Sequence, residues 1–223
     1  MEDYSNLEES LYGKSYKCPV CDAQFKSQTV KQGRQKLISQ DTDFKNNYKT
    51  IDPLYYDIVI CPVCGYATLS RTFSKITAKK IEIMLSRQKV ITPTKYDPVL
   101  STRDAIERFN AALHMAEFLE RNPSEKGILC TNLAWLYRDA KDKKSELQHM
   151  KMAVTFFVSA IQNEKPPYSG YDEGRVKLIV GDFLRRLGKK EDAKKWIGSV
   201  LVDSTSLPQH KEKALEIKDL LIQ

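Results

Sequence analysis

No apolar run in the sequence approaches the roughly 18 residues that cross a bilayer, so a membrane-spanning helix is excluded. The opening MEDYSNLEES has neither a basic n-region nor an apolar h-region, so no secretory signal is expected and the expected location is cytoplasmic. Glycine and proline are sparse, at 9 each in 223 residues, which excludes collagenous and low-complexity architectures. Histidine is sparser still: His114, His149 and His210 each fall in a predicted helix, distant in sequence from either cysteine pair. There is no Gly-rich phosphate loop, no HExxH and no GxSxG. The sequence therefore offers no catalytic residue, and an enzyme is not expected.

The 5 cysteines carry more information. In a reducing compartment they point to metal or free thiols rather than disulfides. Cys18-Pro19-Val20-Cys21 and Cys61-Pro62-Val63-Cys64-Gly65 are two copies of one knuckle. Two residues between cysteines let both sulfurs converge on one ion, and a glycine after the second pair permits a sharp exit. Four thiolates close a tetrahedral site with no open position, the pattern of structural Zn2+. Iron at the same site is the minor alternative, because the knuckles also resemble those of rubredoxin, an electron carrier. Asp22, not glycine, follows the first pair, and a helical second half would be surplus to an electron carrier. The 39 residues between Cys21 and Cys61 exceed the usual spacing of short zinc sites, so a folded insertion must fill them. Cys130, inside a predicted helix, reads as a buried small hydrophobe.

The chain changes character near residue 92. Before it, Leu37-Ile38 and Ile58-Val59-Ile60 read as short strands, with Asp41-Thr42-Asp43 and Asp52-Pro53 as turns and a bridging helix over 77–89. Thr92-Pro93-Thr94 and Tyr96-Asp97-Pro98 then break the pattern, because a proline biases its predecessor away from helix. Residues 1–92 are expected to form a four-cysteine zinc-ribbon-like domain, and 93–223 a helical one. The helices are marked by caps and stops: Ser101 and Thr102, Asn122-Pro123, Pro166-Pro167, Asp172, Gly188, and Ser206 with Gln209. The run Gly181, Leu184, Gly188, Ala193, Ile197, Val200 resembles a tetratricopeptide repeat, in which small residues let antiparallel helices approach. A stretched copy runs from Ala134 and Tyr137 to Ala153, Phe157 and Ala160, seven residues longer between its two halves. The expected fold is mainly α, with a small β zinc-ribbon-like module ahead of tetratricopeptide-like antiparallel helical hairpins.

Charge tempers the choice of partner. The net charge is +7, but it is spread: 14 Lys/Arg against 10 Asp/Glu before residue 93, and 22 against 19 after it. Neither half is a basic domain. The inner surface of stacked hairpins would carry Trp135, Arg138, Asp182, Arg185 and Arg186, and arginine forks there suit a protein partner's acidic peptide. Nucleic acid is the alternative partner. Lys26, Lys31, Arg34, Lys36, Lys45 and Lys49 interleave with Phe25, Phe44, Tyr48, Tyr55 and Tyr56, a pattern that can track a single strand, although Asp41, Asp43, Asp52 and Asp57 share the segment. Asp41 and Asp43 themselves read as turn aspartates that accept backbone N–H bonds and pair with Arg34, rather than as a Mg2+ site. Nothing in the pattern specifies an oligomeric state.

The order YKCPVC, Phe25, Arg34, Asp41-Thr42-Asp43, Tyr48, Pro53, Tyr56, ICPVCGYA resembles the bacterial family termed domain of unknown function 2225. The resemblance covers nearly the whole chain. It implies a zinc-ribbon-like module joined to tetratricopeptide-like helices in a cytoplasmic protein, and it brings no activity. The functional expectation is thus a non-catalytic zinc-binding scaffold or adaptor, with a nucleic-acid-associated accessory protein second and a rubredoxin-like carrier third.

Overall fold

The structure, a computed structural model, describes residues 5–86 and 96–222. The Thr92-Pro93-Thr94 break and the end of the bridging helix lie outside the described residues. The chain forms two compact units, one of Met1–Ile38 with Asn47–Arg121 and one of Ser39–Asn46 with Asn122–Gln223.

In the first unit a single helical turn, α1 (Ser5–Glu8), precedes β1 (Leu11–Lys17), which pairs antiparallel with β2 (Gln24–Val30) from Leu11↔Val30 to Lys17↔Gln24. β5 (Ile58–Ile60) pairs antiparallel with β6 (Ala67–Leu69), closing on Ile60↔Ala67. Each hairpin thus ends in a loop that holds one cysteine pair, residues 18–23 in one and 61–66 in the other. The strand expected at Ile58–Ile60 forms and is largely buried, as β-branched residues in a two-sided environment should be. β3 (Leu37–Gln40), expected from Leu37-Ile38, pairs with β4 (Asn46–Tyr48), yet both apolar side chains stay exposed. Asp52 caps a 3-10 turn over Pro53–Tyr56, accepting from the Leu54 amide at 2.8 Å. α2 (Ala78–Ser86) and α3 (Thr102–Phe118) complete the unit, and Ser101 with Asp104 forms a reciprocal capping box that fixes where α3 begins.

The second unit is built from α4 (Pro123–Asp139), α5 (Lys143–Asn163), α6 (Glu173–Arg186), α7 (Lys190–Val202) and α8 (Pro208–Ile222). The two hairpins turn alike. Lys141 after α4 and Gly188 after α6 both sit at positive φ, and Asp142 N–H and Lys189 N–H reach back to the Tyr137 and Leu184 carbonyls at 2.9 Å. Because the turns match, the seven extra residues of the first hairpin are not in the connection. Glu146 takes the place that Ala193 holds in the second hairpin, and both are buried. Close approach depends on glycine where expected: a Cβ on Gly181 would lie 2.3 Å from Ile197 Cδ1. It also depends on Gly127, which the repeat spacing does not flag and whose Cβ would lie 2.7 Å from the Phe157 ring. Cys130 is fully buried. Ser206 is one residue too early to cap α8, because Pro208 occupies the first helical position and the His210 amide bonds to the Leu207 carbonyl.

Candidate metal centre

Each knuckle is shaped by the same backbone bonds. Cys18 N–H donates to the Ala23 carbonyl at 2.9 Å and Asp22 N–H to the Cys18 carbonyl at 3.0 Å; Cys61 to Tyr66 and Gly65 to Cys61 repeat both distances. Asp22 (φ 58) and Gly65 (φ 72) make the same left-handed exit, so the aspartate stands in for glycine at the one position that needs it. The Val20 amide donates to Cys18 Sγ at 3.4 Å.

The two loops bring Cys18, Cys21, Cys61 and Cys64 together, with all four sulfurs within 4.8 Å of one another. Cys18–Cys64 and Cys21–Cys61 are each 3.6 Å apart, far beyond a disulfide bond. A tetrahedron with metal–sulfur bonds of about 2.3 Å has edges of roughly 3.8 Å, so the donor set fits one tetrathiolate ion. The electrostatics ask for the same thing. Burial pushes the Cys18 thiol up to about 11 against the Cys21 and Val20 amides, and burial with crowding by Cys18 and Cys21 raises Cys64 as well. Burial also opposes ionisation of Cys21, but the Ala23 amide and the other three cysteines outweigh it and lower its pKa. Four thiolates together require a cation among them.

The site is the centre of a small core. Cys18, Val20, Val59, Cys61, Tyr66, Phe73, Met84 and Leu119 form one buried cluster. Phe73 meets Tyr16, Phe25 and Tyr66 at ring distances of 5.5, 5.9 and 5.2 Å. The Arg121 guanidinium donates to the Tyr66 hydroxyl at 2.7 Å. Phe25 and Tyr56 are therefore packing residues, and Lys45 is buried on Asp139 at 2.9 Å, which removes three members from the expected basic-aromatic set.

In the second unit the residues expected to line a groove are placed together, and an acidic peptide lies on them. That peptide is the chain's own Asp41-Thr42-Asp43. Arg138 reaches Asp41 at 2.7 Å, Asp43 at 2.5 Å and Glu146 at 2.8 Å. Asp182 accepts from Thr42 at 2.9 Å, from Arg185 at 2.8 Å and from Arg186 at 2.7 Å. Trp135 is buried, its indole N–H without a hydrogen-bond partner. The expectation that Arg34 pairs with the two aspartates is corrected: Arg34 is exposed, and Arg138 and Arg186 are the cations that meet Asp43. The histidines are dispersed: His114 is exposed, His149 contacts the Ser145 carbonyl, and His210 lies 3.4 Å from Asp172.

Residues 11–221 match the family described as "Uncharacterized protein conserved in bacteria (DUF2225)". The chain belongs to that family. A DUF2225 chain thus gathers four cysteines able to hold a metal ion in one unit and carries a second, helical unit, and no helix among its described residues is long and apolar enough to cross a membrane. A curated relative, an uncharacterized protein of Borreliella burgdorferi (strain ATCC 35210 / DSM 4680 / CIP 102532 / B31), is 23% identical over an alignment of 162 residues, and the match covers 64% of this chain. The match spans 58% of that relative's length. No solved structure matches.

Proposed function

We propose that this DUF2225 protein is a non-catalytic cytoplasmic scaffold, held by a structural Zn2+ on Cys18, Cys21, Cys61 and Cys64, that binds an acidic segment of a protein partner on the arginine surface of its helical unit. One observation carries the partner reading: the Arg138 fork already holds an Asp-Thr-Asp peptide, supplied by residues 41–43 of the same unit. A partner with spaced carboxylates would exchange with that segment. Zinc is supported over iron by the closed tetrathiolate set and by the large helical unit, which an electron carrier does not need.

Two measurements test it. Metal content and colour of the purified chain separate the ions, because an iron tetrathiolate absorbs visible light and zinc does not. Cys61→Ser should abolish stoichiometric metal and make the first unit protease-sensitive while the helical signal of the second persists; an unchanged digestion pattern would exclude a structural metal. For the partner, affinity capture from nuclease-treated extract of its own organism should return a stoichiometric protein that is displaced by a peptide spanning residues 37–48. Capture that collapses with nuclease, or that ignores the peptide, would overturn the acidic-segment reading.

A further inference from the structure

A cavity of about 220 Å3 in the first unit is lined by residues of β2, the second knuckle, the segment 96–100 and α3. Its floor carries Arg108, only 8% exposed. A buried guanidinium is normally paired with a carboxylate. Among the described residues Arg108 has no such partner. Its one hydrogen bond to them goes from Nη2 to the Ile58 carbonyl, its face stacks on Tyr96 at 5.2 Å, and its buried Nε bonds to none of them. Of the acids nearby, Asp104 accepts from Ser101 in the capping box and acts on Arg108 only through space, and Asp97, exposed and lining the cavity, makes no ion pair with it.

A second donor lines the same cavity. Tyr56 is 4% exposed, and its hydroxyl oxygen accepts from the Leu100 amide at 3.0 Å. Its own O–H has no acceptor among the described residues. Gln28, on β2, also lines the cavity, and its buried side-chain Oε1 has no hydrogen-bond partner among the described residues. Burial disfavours the charge on Arg108, and Asp104 favours it only through space, with no carboxylate among the described residues bonded to the guanidinium to offset this cost.

We propose that this cavity binds a small oxyanion, a phosphate or carboxylate of a few heavy atoms, held by Arg108 and Tyr56. The guanidinium supplies the charge and a directed N–H, the phenol a second donor, and the volume limits the ligand to a small acid. The site uses neither the cysteine sulfurs nor the acidic segment of the helical unit.

Isothermal titration of the full chain with inorganic phosphate, and separately with acetate, each against sodium chloride of equal ionic strength, tests this. Saturable binding of either anion is expected, with a matching rise in melting temperature. Arg108→Gln and Tyr56→Phe should each weaken it by at least about tenfold, the loss of one charge-assisted hydrogen bond. Tighter phosphate binding would assign a tetrahedral ligand, tighter acetate a planar one. Absence of binding by both anions, or binding that survives both substitutions unchanged, would overturn the site. If Arg108→Gln fails to fold, Tyr56→Phe, which keeps the ring and removes only the hydroxyl, decides alone.

Discussion

Arg138 and Asp43, 95 residues apart in sequence, form a guanidinium–carboxylate pair in which the aspartate is wholly buried. All three guanidinium nitrogens are used, on Asp41, Asp43 and Glu146, and Arg186 adds a second positive charge 3.8 Å from Asp43. Burying such groups is offset only while every partner stays in place. Arg138→Ala should therefore destabilise the second unit by about 3–5 kcal/mol, read from urea unfolding. Arg138→Lys should recover only part of this, because an ammonium keeps the charge and loses the fork. A loss below about 1 kcal/mol would show the network to be as weak as a surface pair.

The same network sets an acid limit. Burial works against ionised Asp43 and Glu146, but Arg138 outweighs it and holds both carboxyls below their usual range. A depressed folded pKa gives stability that is complete above the unfolded values, near 4, and is lost as pH falls through the folded ones. Both tryptophans, Trp135 and Trp196, lie in the second unit, so indole fluorescence reports it alone. Denaturation followed at these residues should show a plateau above about pH 5 and a steep fall below pH 4. Arg138→Gln should flatten that fall. In the first unit burial raises Asp57, despite its bond from Ser70, so acid acts there with the opposite sign.

Gly127 and Gly181 separate two kinds of close approach. A Cβ at 181 meets the end of a flexible Ile197 side chain, whereas one at 127 meets Phe157 Cδ1, Cε1 and Cγ at 2.7, 2.8 and 3.1 Å, on a ring that is fully buried. Alanine gains up to about 1 kcal/mol of helix propensity over glycine, which overpacking of about 1–3 kcal/mol must exceed. Gly127→Ala is expected to lower stability by about 1–2 kcal/mol, and Gly181→Ala by less. Ile197→Val, which removes the clashing methyl, should restore Gly181→Ala. A stabilised Gly127→Ala would mean that the α4–α5 spacing opens freely.

Local chemistry was legible in the sequence because it is written at short range. The knuckles, the Ser101 cap, the Asp172 cap and the Gly188 turn each need only a few neighbouring residues, and each stands where the pattern put it. Four-thiolate convergence was legible too, since two identical knuckles have one economical way to satisfy both. Long-range pairing was not. The aspartates of residues 41–43 and the arginines of α4 and α6 are each conspicuous, but no spacing rule links position 43 to 138. Arg34, nearer in sequence, was the natural partner on proximity, and the fold chose another. Gly127 escaped because its reason is a ring thirty residues away in sequence, and Arg108 because a basic residue on an amphipathic helix reads as solvated until its burial is known.

Asp22 and Gly65 allow the two knuckles to be compared with one another. Both residues adopt a left-handed backbone that costs an ordinary L-residue about 1–2 kcal/mol, less for aspartate. Glycine at position 22 removes that strain but adds unfolded-chain freedom worth about 0.4–1 kcal/mol. The Lys17–Asp22 ion pair, at 2.9 Å and largely exposed, adds little to the balance. Asp22→Gly should thus leave metal affinity within a few-fold of the parent in a chelator competition. Asp22→Ala and Gly65→Ala, which impose strain without a compensating side chain, should each weaken it by up to about tenfold. Equal effects of glycine and alanine at position 22 would show that the aspartate serves the first knuckle through its carboxylate and not through its backbone.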